Sequence, residues 1–367
     1  MIFSVLFLLL FSSPAIAYDQ HSTHPSLTYE MAEFFNAKSA NKNLSPEEIK
    51  WLKKGAIDED EPARWINHFY DPIHEVGWTG KHFGKLSQEE GYAQGASLAP
   101  KPSLPSFEWV TNQDYQSAYG SQYGNQTWQK AIKSYVDGDK KSAFIALGHI
   151  LHIVEDATVP DHVRDDSHPG IEGDPGSPYE AYSKEQTDAG ELQVAENLHA
   201  NLLDLESIGE AIKNLARYTN ANFFSEDTIA NSEFAEPFNS SKEVYVEISG
   251  KLVRFLAKDG NNLARLLEED IWSGEKIYTV DDTRNVLPSY RDNLFPKAVL
   301  TGASVIKLFF EEVEKYKKNP EAMEPIVPDR HDSFLVALQQ FPKRTIIKIC
   351  GYSEGTCSKI YNTIGNV

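Results

Sequence analysis

The sequence predicts a mainly helical protein with one small β-containing insertion. Three observations carry that expectation. Apolar residues recur at helical spacing over most of the chain. Ser45-Pro46-Glu47-Glu48 supplies an N-cap, a first-turn proline and acids at the positive end of a helix dipole. Strand-like alternation is confined to Glu243–Ile248 and a shorter run from Lys276, which could pair with it. The chain has 367 residues, 41% of them hydrophobic, which is ample for a buried core.

In chain order, the periodicity predicts a helix over Thr28–Lys38 and a second from Ser45 to about Lys54, stopped at Gly55. Residues 72–108, rich in Gly, Pro and Ser, read as a long irregular loop. Helices follow over Asn125–Val136 and Lys140–Glu155. A polar loop, Asp165–Pro178, carries three Gly and three Pro, and helix resumes from Tyr179 through roughly Asn220. Asn293–Lys318 reads as a long helix with one apolar face. The organisation expected is a leader at 1–17, a helical domain at 18–325 and a C-terminal extension at 326–367. In the extension, Cys350 and Cys357 are placed for a disulfide that would staple a small hairpin.

Residues 1–17 differ from the rest. An apolar run through Leu10 is broken by Ser12-Ser13-Pro14 and followed by Ala15-Ile16-Ala17. This reads as a secretory signal peptide cut after Ala17, leaving an exported or periplasmic monomer that begins at Tyr18. The net charge of −19 gives no general attraction for nucleic acid or anionic lipid.

Nine of the eleven histidines fall between His21 and His168. His152 and Asp156 are spaced i and i+4, so a helix presents them on one face. Pro160 then ends the helix and His162 returns from the following turn. Two ligands from a rigid helix and one from its exit can surround a metal, and zinc suits imidazole together with carboxylate. His149, one turn earlier, competes for a ligand role. Asp60 after an acidic turn, His68 flanked by aromatics and His24 near the mature N-terminus extend the candidate set.

These motifs resemble the zinc-dependent phospholipase C family, whose fold is shared with the S1/P1 nucleases. That pattern runs through an N-terminal aromatic residue, a His, an Asp shortly after a Gly, His-Phe-aromatic-Asp-Pro, His-x3-Asp-x5-His, then a His and a Glu. Here the corresponding residues are Tyr18, His24, Asp60, His68, His152, Asp156, His162 and Glu180, with coverage from Tyr18 to about Lys184. The resemblance implies three zinc ions. Tyr18 (through its free amine and carbonyl), His24 and Asp156 would hold one; Asp60, His68, His152 and a bridging Asp156 the second; His162, Glu180 and a further residue the third. The family has a His four residues before the Glu, where this chain has Gly176. His168 is the candidate in its place, ahead of Asp174 and then Asp166. Asp60 is the expected base or orienter of the attacking water, and Trp65 a cation–π face for a choline headgroup. The expected substrate is a phospholipid met at a membrane surface. The alternative is a single-strand nuclease or nucleotidase using the same zinc ions.

Overall fold

The computed structural model describes residues 19–329, apart from 61–63, 120–123, 172–173 and 191. The leader, Tyr18 and both cysteines lie outside the described residues. The molecule is mainly helical and carries a four-stranded antiparallel sheet.

Helix α1 spans Thr23–Lys38, one turn earlier than its apolar periodicity indicates. Helix α2 spans Pro46–Asp58 and opens on a capping box in which Ser45 and Glu48 satisfy each other's backbone N–H groups. It does not stop at Gly55. That glycine lies inside the helix because its missing side chain lets another helix approach. A Cβ on Gly55 would sit 2.0 Å from the carbonyl oxygen of Ile145, and one on Gly148 would sit 2.1 Å from that of Leu52.

Between them, residues 72–108 are mostly irregular, as expected, but include the short helices α3 (Gln88–Gly95) and α4 (Ser106–Trp109). Helix α5 (Gln113–Ser117) is followed by α6 (Trp128–Val136), capped by Thr127, and α7 (Lys140–Asp156), capped by Asp139. Helix α8 (Pro178–Asp188) begins where the polar loop ends. The single helix expected from Tyr179 to Asn220 is broken. Apart from a short turn, α9 (Val194–Asn197), the chain is irregular until α10 (Ile208–Asn222), which Ser207 caps. Gly190, at φ 156°, follows the end of α8.

The sheet is a meander, β1 (Lys242–Ile248), β2 (Lys251–Lys258), β3 (Asn261–Glu269) and β4 (Lys276–Thr279). The two stretches expected to pair are therefore its opposite edges, with two strands between them. The connections Ser249-Gly250 and Asp259-Gly260 have positive φ at both residues, the geometry of two-residue hairpin turns. Strand β3 meets the long helix α11 (Leu287–Lys318), and Phe255, Leu256, Leu263 and Ala264 are buried in the two inner strands. Helix α11 packs on α1, α6 and α7, and its apolar side fills the centre of the main hydrophobic cluster. Beyond it the chain returns over α5, with Gln113 and Asn125 bonding to residues 325–329.

Candidate metal centre

Five elements deliver the donors. The first turn of α1 brings His24. The residue after Glu59, at the exit of α2, is Asp60. A single 3-10 turn, Trp65–Asn67, leads directly to His68. Helix α7 supplies His152 and Asp156 from one buried face, and the turn after it supplies His162 and His168. Glu180 stands in the first turn of α8, where Ser177 caps the helix.

These residues gather into three buried groups, each with its donor atoms within 4.8 Å of one another: His24, His152 and Asp156; Asp60, His68 and His152; His162, His168 and Glu180. Asp156 stands between them. Its Oδ1 lies 3.6 Å from His24 Nε2, and its Oδ2 lies 2.9 Å from His68 Nδ1, 3.2 Å from His152 Nε2 and 3.9 Å from His162 Nδ1. Asp60 Oδ1 is 3.4 Å from His152 Nε2 and 3.7 Å from His68 Nδ1. Glu180 Oε1 is 3.3 Å from His168 Nε2 and 3.6 Å from His162 Nε2. Asp174 and Asp166 are outside this third group; Asp174 instead accepts the Gly176 N–H at 3.0 Å.

Four of the five histidines bond an acceptor through their other ring nitrogen, and the fifth, His68, only faces one. His24 Nδ1 meets Glu155 Oε2 at 2.5 Å, His152 Nδ1 meets the Ala56 carbonyl at 2.7 Å, and His168 Nδ1 meets the Asp166 carbonyl at 3.0 Å. His162 Nδ1 reaches the His68 carbonyl at 3.4 Å, and His68 Nε2 faces Glu59 Oε1 at 3.5 Å. Such acceptors fix tautomer and ring plane, and they leave a lone pair aimed inward. Phe69 stacks on the His162 ring at 4.3 Å between centroids and holds its plane from the side.

The residues present fit metal ions. Both oxygens of Asp60 and of Asp156, His162 Nε2 and Glu180 Oε1 are buried without a hydrogen-bond partner. Leaving buried polar atoms unsatisfied costs about 1–3 kcal/mol each, so a cluster of them facing one space calls for a cation. Burial pushes the His162 imidazole down to about 3, assisted by His168 and His68 and opposed by Asp156. It pushes Glu180 up to about 7 against the pull of His168. Burial would also raise Asp156, but His152, His162 and His68 outweigh it and hold that carboxyl well below its usual range.

His149 does not join the donors. Its Nδ1 pairs with Glu59 Oε2, and the same carboxylate takes Arg64 Nε at 3.0 Å and Trp109 Nε1 at 2.7 Å. Burial opposes ionisation of Glu59, yet the Arg64 guanidinium and His149 hold its carboxyl well below the usual range. Glu59 and Glu155 went unrecognised in the sequence, although each directly precedes a donor aspartate. Trp65 is half-buried and packs edge-on against Trp78 at 4.9 Å, within a small apolar cluster with Ile66, Phe69 and Phe83.

No family model and no curated protein matches the chain. Among solved structures, an alpha toxin from Clostridium absonum aligns with a TM-score of 0.43 and 12% identity, over 81% of this chain and 66% of the toxin. A Clostridium perfringens alpha-toxin from avian strain SWCP aligns with a TM-score of 0.40 and 13% identity, over 81% of this chain and 65% of the toxin. The chain thus spans just under two thirds of the length of either toxin.

Proposed function

We propose that this protein is an exported, zinc-dependent phosphoric ester hydrolase of the phospholipase C type. Its substrate is a phospholipid, and its products are diacylglycerol and a phosphorylated headgroup. The observation that carries the reading is the inward array of five histidines, four of them hydrogen-bonded from behind, around the shared carboxylate of Asp156. On this reading each of the three buried groups would hold one zinc ion.

Zinc bound at these donors would neutralise charge on the phosphoryl oxygens and make water acidic enough to attack near neutral pH. The chain's own residues do the rest. Asp156 ties the groups together and Glu180 charges the outermost. Asp60 accepts the proton of the attacking water as the new P–O bond forms and the bond to the glycerol oxygen breaks; that oxygen then takes up a proton. Burial raises the proton affinity of Asp60, with His152 and His68 opposing, which suits a base.

Export bears directly on the site. Asp19, the first described residue, accepts the Thr23 N–H at 3.0 Å and lies 3.6 Å from Lys184 on α8. On this reading the amine of Tyr18, one residue before Asp19, exists only after the leader is cut and would then serve as a ligand. Contact with lipid is supported by the β3–β4 turn, where Ile271 and Trp272 are 91% and 96% exposed.

The test is to purify the mature protein, count zinc and assay phosphatidylcholine, sphingomyelin and single-stranded DNA with and without chelator. Chelator-sensitive lipid hydrolysis is expected. DNA cleavage without lipid cleavage would move the protein to the nuclease class, and no phosphodiester cleavage at all would overturn the hydrolase reading.

A further inference from the structure

A fourth donor group lies outside the three just described, formed by His82, Asp166 and Asp227, again with donor atoms within 4.8 Å of one another. The three residues come from distant segments: the 79–86 loop, the turn after α7 and the 3-10 turn Glu226–Thr228. Contacts of their own hold these segments together. Ser167 N–H donates to the Lys81 carbonyl at 3.2 Å, Trp78 Nε1 to Ser167 Oγ at 2.7 Å and Arg164 Nε to Thr228 Oγ1 at 2.5 Å. The donors are therefore brought together by the fold.

A second observation points to a ligand. Asp166 is 2% exposed, and its Oδ1 is buried with no hydrogen-bond partner. The nearest fixed cation does not supply one. Arg164 spends its N–H groups on Thr228 Oγ1 and on the carbonyls of Asn220 and Glu236. Asp161, the other buried carboxyl nearby, adds negative charge to the same region and is itself bonded to Ser177 Oγ at 2.8 Å.

We propose that His82, Asp166 and Asp227 form a further binding site for a divalent transition metal of the zinc class, distinct from the hydrolytic cluster. One imidazole nitrogen and two carboxylate oxygens suit zinc, with water completing the shell on the exposed Asp227 side. Asp166 would then serve two sites at once. Its backbone carbonyl orients His168, while its side chain holds the fourth ion. Occupancy therefore stiffens the turn that aims His168 at Glu180. The proposal stands independently of the hydrolytic reading.

The test is equilibrium dialysis of the metal-stripped mature protein against buffered micromolar zinc, followed by a metal count per chain, for wild type, His82→Ala and Asp227→Asn. His82 is half-buried and Asp227 exposed, so neither variant threatens folding as Asp166→Asn would. Each variant is expected to hold one ion fewer than wild type. Equal counts in wild type and both variants overturn the site and leave an adjacent Asp161–Asp166 pair sharing a proton. The readout is a difference, so it separates the two readings. A fall from four ions to three supports both; from one to zero keeps this site and removes the three-zinc cluster; three in each does the reverse.

Discussion

Glu155 holds the back of His24. Its Oε2 lies 2.5 Å from His24 Nδ1, and its Oε1 takes the Thr28 hydroxyl at 2.8 Å. The neighbouring residue on the same helix, Asp156, faces the donor groups from the other side of that ring. Glu59 and Asp60 repeat the arrangement: the aspartate faces inward and the glutamate stands behind His68 and His149. On the proposed reading, two Glu-Asp pairs thus divide the labour between ligand and support.

This relationship predicts the behaviour of Glu155→Gln. The amide is isosteric but a poorer acceptor for His24 Nδ1, so it loosens the hold on that ring without opening a cavity. Zinc affinity, read by competition with a chromophoric chelator, should fall by about 10- to 100-fold, the usual scale for such supporting groups. The helical circular dichroism should stay that of wild type. An affinity within twofold of wild type would reduce the pair to packing.

Gly55 and Gly148 make a second link between fold and site. Their close contact sets the distance between α2 and α7, and His152 Nδ1 donates to the Ala56 carbonyl across that same seam at 2.7 Å. Gly148→Ala puts a methyl group against the Leu52 carbonyl, which backbone cannot yield without movement. Overpacking of this kind costs about 1–3 kcal/mol. The thermal midpoint should drop, and zinc affinity should drop with it, because Asp60 and His152 separate. A loss of stability with zinc affinity intact would show that the seam does not position the donors.

The helix carrying His152 and Asp156 was legible in the sequence because i, i+4 spacing and a terminating proline are local signals. So was the capped start at Ser45. The other features were settled by tertiary contact. Gly55 reads as a stop but is a contact point, since only the partner Gly148 distinguishes the two. The sheet was half seen, although Ser249-Gly250 and Asp259-Gly260 are turn signals that could have revealed the two inner strands. Glu59 and Glu155 were hidden in acidic runs whose exposed and buried members look alike until the histidines they support are placed. His168 stands beside Glu180 in spite of Gly176, because the 162–168 turn folds back onto α8.

Asp165 carries a pH-dependent cost. It is 1% exposed, at φ 49°, with Oδ1 accepting the Thr79 N–H at 2.8 Å and Oδ2 the Thr79 hydroxyl. Burial outweighs these bonds and raises its carboxyl to about 6 from an ordinary 3.8. A raised acid favours the protonated folded state, so stability is lost as pH climbs from about 4 to 7. At roughly 1.4 kcal/mol per unit, the loss is about 3 kcal/mol. Asparagine tolerates the same positive φ and does not ionise. The stability of Asp165→Asn relative to wild type should therefore rise by about that amount between pH 4 and pH 7, measured by denaturant unfolding in chelator. A gap that stays flat with pH would mean that the carboxyl is not protonated in the folded state.

Trp272 stands almost wholly in solvent at the turn between the last two strands. It and Ile271 cap the β3–β4 turn, which is held by Asp270 Oδ1 accepting the N–H groups of Trp272 at 2.8 Å and Ser273 at 2.7 Å. Two large apolar side chains on a structured tip lose favourable burial in water and regain it at the boundary between headgroup and acyl chain, where tryptophan is enriched. The tip is flanked by Asp270 and Glu275, and the chain carries −19 overall, so an anionic bilayer repels it and a zwitterionic one does not. Trp272→Ala should therefore lower hydrolysis of phosphatidylcholine vesicles severalfold while leaving a water-soluble phosphocholine ester unaffected. Vesicle sedimentation should show the same loss of binding, with little salt dependence. Equal loss on both substrates would place Trp272 in structural support of the hydrolytic site, and no loss on vesicles would remove the hairpin from the encounter with lipid.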